Sequence, residues 1–148
     1  MSFSQKLEYN AIVKWDGETG GTVSCENCEG LAVDIPKEHG GLGRSACPDQ
    51  LFLASLGGCL LNTFIHFATR FKADFRDVQV HVNAKLELKP EGYRFTEASS
   101  VITVYAGEED TMMAERCADL AVEYCHITRS IEEAINLKVS HRIVAKDI

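Results

Sequence analysis

Six cysteines among 148 residues carry most of the chemistry this sequence could support. A thiolate is a nucleophile, a metal ligand and a reductant of peroxides and disulfides, so each cysteine must be asked what would ionise it. Cys59 follows a Gly57-Gly58 pair in the apolar run LFLASLGGCLLNTF. Taken alone it reads as a small buried hydrophobe, as free cysteines usually are. Arg44 upstream and the polar pair Asp49 and Gln50 change that balance, because a guanidinium near the sulfur favours the thiolate. Cys125 lies in EYCHITRS at a break between two helical patterns. The N–H groups of a following helix would lower its pKa, while a packed helix-end cysteine is an equal reading.

Cys25-x-x-Cys28 falls between two short strand patterns. Two thiolates at this spacing are half of a zinc site, for which Cys47, His39 or a second subunit would have to complete the set. A redox CxxC ordinarily sits at a helix N-terminus, and here it occupies a hairpin turn, so two unpartnered turn cysteines are the plainer reading. His66 lies seven residues beyond Cys59 on nearly the same helix face, as a proton carrier or as a hydrogen-bonded core histidine. His126 adjoins Cys125 and could tune that thiol. Met112-Met113, Phe64, Phe67, Phe71, Cys47 and Cys117 read as packing, and Glu108-Glu109-Asp110 as a solvated charge cluster.

The element that must position Cys59 is a helix from about Cys47 to Phe71. Pro48 and Asp49 suit its first turn. Leu51, Phe52, Leu53, Leu56, Leu60, Leu61, Phe64, Ile65 and Phe67 make it apolar nearly all round, which predicts burial nearly all round. Asn62, Thr63 and His66 interrupt the run and favour a core helix over a membrane span. Two mid-helix glycines cost about 1 kcal/mol each against alanine, so something approaches the backbone there, Cys125 or a substrate oxygen.

Ahead of this helix, strands are expected at 5–15, 22–25 and 31–35, with a glycine-rich loop over 36–43. After it come a strand over 77–88, a turn at Pro90-Glu91-Gly92 and a returning strand over 93–106. Helical periodicity covers 110–124 and 128–136, and 138–144 closes the chain as a strand. Separated runs of strands and helices predict an α+β fold with a mostly antiparallel sheet, in a single domain over 1–148. A net charge of −7 argues against nucleic acid or an anionic membrane as partner. The first twenty residues hold no apolar signal core, which points to the cytoplasm.

Taken together, PDQLFLASLGGCLLNTF and EYCHITRSIEEA resemble the paired cysteine motifs of the OsmC/Ohr family, the osmotically induced protein C and organic hydroperoxide resistance proteins. The separation of 66 residues (125 − 59) and the order of elements are similar across nearly the whole chain. The resemblance implies an OsmC-like fold wrapped on the long central helix, in an intertwined homodimer. It implies that Cys59 is the peroxidatic cysteine and passes through a sulfenic acid. Cys125 is then the resolving cysteine, closing a Cys59–Cys125 disulfide that an external dithiol reduces. Asp49 stands where hydroperoxide-resistance members carry a glutamate paired with an activating arginine. That arginine normally comes from the first hairpin, and residues 1–43 contain none. Arg44 is the nearest replacement. His126 stands where the family usually has proline.

The expectation is therefore a cytoplasmic cysteine-based peroxidase acting on organic hydroperoxides without haem, flavin or metal. A thiol-dependent hydrolase or transferase is the rival enzyme class, with His66 as its candidate base. A non-enzymatic binder of a lipid-like ligand, with redox-sensing cysteines, is the rival of another kind.

Overall fold

The computed structural model describes residues 5–146, and their contacts gather into two compact units that meet in sequence between Leu51 and Phe52. The first unit is an antiparallel meander of β1 (Ile12–Trp15), β2 (Gly20–Cys25) and β3 (Cys28–Asp34). β1 is shorter than the expected 5–15. Its pairing runs from Trp15↔Gly21 to Ile12↔Ser24, and β2 turns back at Cys25, so among the described residues, 5–11 have no strand beside them. The chain then passes through a single turn of 3-10 helix at Lys37–His39.

Arg44 ties this unit together. Its Nε donates to Asp34 at 2.8 Å, and its two terminal nitrogens donate to Glu18 and Asp16 at 2.7 Å each. Asp34 is buried, also accepts the Thr19 hydroxyl at 2.5 Å, and is held well below the usual carboxylate range, first by Arg44 and then by Thr19. The guanidinium is correspondingly harder to deprotonate, chiefly through Asp34.

Helix α1 (Pro48–Phe71) starts as the sequence indicates. Pro48 takes the first helical position, and the Cys47 N–H donates to the Gln50 side-chain oxygen at 3.1 Å, which satisfies a donor the helix leaves free. From Phe52 onward α1 belongs to the second unit, with the sheet β4 (Asp77–Lys89), β5 (Gly92–Ala106) and β6 (Asn136–Ala145). β4 and β5 form the expected antiparallel hairpin. β6 runs parallel to β5, from Glu97↔Asn136 to Ala106↔Ala145. A parallel neighbour requires a crossover, and α2 (Thr111–Tyr124) with α3 (His126–Ile131) supplies it. The fold is α+β, as expected.

Leu56, Leu60, Phe64 and Ala68, each four residues on, form the buried stripe of α1. They belong to a core with Ile102, Val104, Ala114, Cys117, Ala118 and Ala121. Full burial of a residue such as Phe64 is worth roughly 2–3 kcal/mol. Within one chain the burial of α1 is one-sided. Ile65 and Phe71 are each 41% exposed, because one sheet and one helix cover only one side of the rod. By length and composition α1 could cross a membrane, but in this fold it is a core helix.

Candidate active site

Cys59 lies on the buried stripe of α1, and only 9% of it is exposed. That sliver opens into a cavity of about 640 Å³, lined by Gly58, Asn62, Thr63, Phe67, Tyr124 and His126 among others. The two glycines before it have different reasons. A Cβ on Gly57 would stand 3.1 Å from the Val82 side chain, so this glycine lets α1 approach β4 closely. A Cβ on Gly58 would meet nothing within 4 Å and would project into open space beside Cys59. The close approach anticipated for the pair is made by the sheet, at Gly57.

Cys125 forms the bend between α2 and α3, with φ −65° and ψ 107°. Its N–H donates to Ala121 O and its carbonyl accepts from Arg129 N, both at 3.1 Å, so the residue caps both helices at once. The thiol is fully buried and accepts the Thr128 hydroxyl at 3.1 Å. The helix N-terminus suggested an acidified thiol, and the opposite holds. Burial pushes the Cys125 pKa up, Thr128 offsets this only partly, and the neighbouring Cys59 thiol adds to the rise. Desolvation outweighs a six-residue helix. Both cysteines are free thiols in the same core cluster.

His126 is the residue whose place the sequence did not reveal. Its Nδ1 lies 3.6 Å and its Nε2 3.9 Å from Cys59 Sγ. Adjacency to Cys125 suggested an effect on that thiol; the bend at Cys125 instead sets the ring against the other one. An imidazole in this position can take the thiol proton and, once charged, stabilise the thiolate. His66, the base considered from sequence, is exposed at the cavity wall, its ring edge-on to Phe67 with centroids 5.2 Å apart. It is therefore not a core histidine.

Arg44 and Asp49 have partners in the first unit. Each nitrogen of Arg44 donates to one of the three carboxylates named above. Asp49 is exposed in the first turn of α1, with the Cys47 thiol 3.9 Å from its Oδ2. Cys117 is fully buried on α2, its thiol pushed up by burial, in keeping with packing.

The site is thus a thiol facing a cavity beside an imidazole, with a second buried thiol in the same core cluster of an α+β fold. Residues 41–140 match the OsmC-like proteins, and the chain belongs to that family. It is 28% identical over 142 residues to an uncharacterized protein of Acinetobacter baylyi, covering 95% of this chain and 96% of that one. The crystal structure of an organic hydroperoxide resistance protein OsmC from Legionella pneumophila is similar at 26% identity and a TM-score of 0.66, with 93% of this chain and 99% of that one covered. An OsmC-like protein of Mycoplasma pneumoniae shares the fold at a TM-score of 0.77 and 16% identity, with 95% and 99% covered.

Proposed function

We propose that this protein is a cysteine-based peroxidase that reduces organic hydroperoxides. The observation that carries this reading is the arrangement at Cys59: cavity on one side, His126 at 3.6 Å, and the buried Cys125 thiol as neighbour. His126 takes the Cys59 proton. The thiolate attacks the distal oxygen of ROOH, the O–O bond breaks, and Cys59 becomes a sulfenic acid while the alkoxide takes a proton to leave as ROH. The Cys125 sulfur then displaces water from Cys59–SOH, forming a disulfide, and an external dithiol reduces it by exchange. A high Cys125 pKa suits the resolving role, since a protonated buried thiol does not compete for the peroxide. Phe67, Tyr124 and Ile127 give the cavity an apolar side suited to an organic R group. The reading includes a homodimer in the cytoplasm and needs no bound cofactor. Membership of the family and the hydroperoxide-resistance relative in Legionella support it.

His126 also favours a second reading, because it supplies the base that a thiol-dependent acyl transferase or hydrolase needs. Hydroperoxide consumption with a dithiol reductant, run beside hydrolysis of a thioester, separates the two. The peroxidase reading expects turnover that is lost in both Cys59→Ser and Cys125→Ser. Thioester hydrolysis that survives Cys125→Ser, without peroxide turnover, would establish the transferase reading instead.

A further inference from the structure

We infer that Cys25 and Cys28 form a second dithiol–disulfide centre, which reduces low-molecular-weight disulfides by closing an intrachain bond across the β2–β3 turn. The two residues are directly paired in the antiparallel ladder and flank a two-residue turn, Glu26-Asn27, in which Asn27 takes the left-handed conformation at φ 60°. Directly opposed residues place their side chains on one face, with Cα atoms about 4.5–5.5 Å apart. That lies within the roughly 4.4–6.8 Å a disulfide spans. The neighbouring Cys28 thiol pushes the Cys25 thiol up from its ordinary value, which leaves Cys28 as the first nucleophile.

Access supports the same conclusion. Cys25 is exposed and Cys28 half-buried, unlike the enclosed pair at Cys59 and Cys125. A metal role lacks its ligands: among the described residues no cluster of three or more His, Cys, Asp or Glu could hold an ion, whereas structural zinc takes four. The reaction balances without further components. The Cys28 thiolate attacks RS–SR and expels RS⁻, and the Cys25 sulfur then attacks the mixed disulfide and expels the second. The products are Cys25–S–S–Cys28 and two RSH, so the protein loses two electrons and the external disulfide gains them. An exposed disulfide is open to exchange with external thiols, which suits a reversible centre.

The test uses the full chain with oxidised glutathione as probe, followed by alkylation and tryptic digestion. No Lys or Arg lies between Trp15 and Pro36, so both cysteines fall in one peptide, residues 15–37. The expected result is a peptide lighter by two hydrogens and free of alkyl groups, which regains both alkylations after dithiothreitol. Cys28→Ser should halt at a glutathione adduct on Cys25 or stay unreacted, and should never form the internal bond. The inference is overturned if the wild-type peptide stays doubly alkylated, if it accumulates adducts on both sulfurs, or if it cross-links between chains. It is equally overturned if chelator alone unmasks the thiols, the mark of a bound metal. Cys59→Ser should give the same result as wild type, so the outcome is independent of the peroxidase reading.

Discussion

Beside Cys59 stands the imidazole of His126. His126 faces the sulfur at 3.6 Å, whereas the three nitrogens of Arg44 each donate to a carboxylate of the first unit. His126→Gln should therefore slow alkylation of Cys59 by iodoacetamide at pH 7 by about tenfold or more. Arg44→Ala should leave that rate within about twofold, because its charge is already compensated. Equal rates for wild type and His126→Gln would remove the imidazole from the account. Cys59 was singled out because its motif is distinctive; Cys125, in a weaker motif, followed from the resemblance, and the two share one core cluster. The place of His126 was not legible, because no one-dimensional spacing relates positions 59 and 126; the bend at Cys125 does.

At the scale of elements, α1 was legible nearly to the residue, expected from about Cys47 and found over Pro48–Phe71. Proline, a cap and a long apolar run all act locally. Its surroundings were less legible, since an apolar surface states that it will be covered without saying by what. The adjacent glycines show this. Gly58→Ala gains helix propensity with no clash and should raise stability by about 0.5–1 kcal/mol in thermal unfolding, while narrowing the cavity and slowing Cys59 alkylation. Gly57→Ala must push Val82 aside and should show no such gain. The parallel β5–β6 pairing was also hidden, because strand patterns do not encode direction. In the meander, Asp34 makes an acid-sensitive joint. Its pKa is lowered on folding, so its contribution is present above the unfolded value near 4 and is lost as pH falls through the folded one. Asp34→Asn should therefore destabilise strongly at pH 7 in thermal melts, and the gap should begin to narrow below about pH 4 and close only at strongly acid pH.

For the whole molecule, the apolar surface left open in one chain is large. Trp15 is 72% exposed and Met112 82%, besides Ile12, Val13, Ile65 and Phe71. Surfaces of this kind are more often covered by a second copy than left to solvent. Light scattering during size exclusion should give twice the 16.4 kDa chain mass, and a monomer at micromolar concentration would contradict the proposed dimer.

The central claim is that Cys59 and Cys125 act in sequence on one peroxide. Mass spectrometry after one equivalent of an organic hydroperoxide, with free thiols blocked by alkylation, tests it most directly. The account predicts a Cys59–Cys125 disulfide in the wild type and a Cys59 sulfenic acid trapped in Cys125→Ser. Both cysteines recovered fully alkylated, or Cys59 oxidised to sulfinic acid with Cys125 untouched, would contradict it.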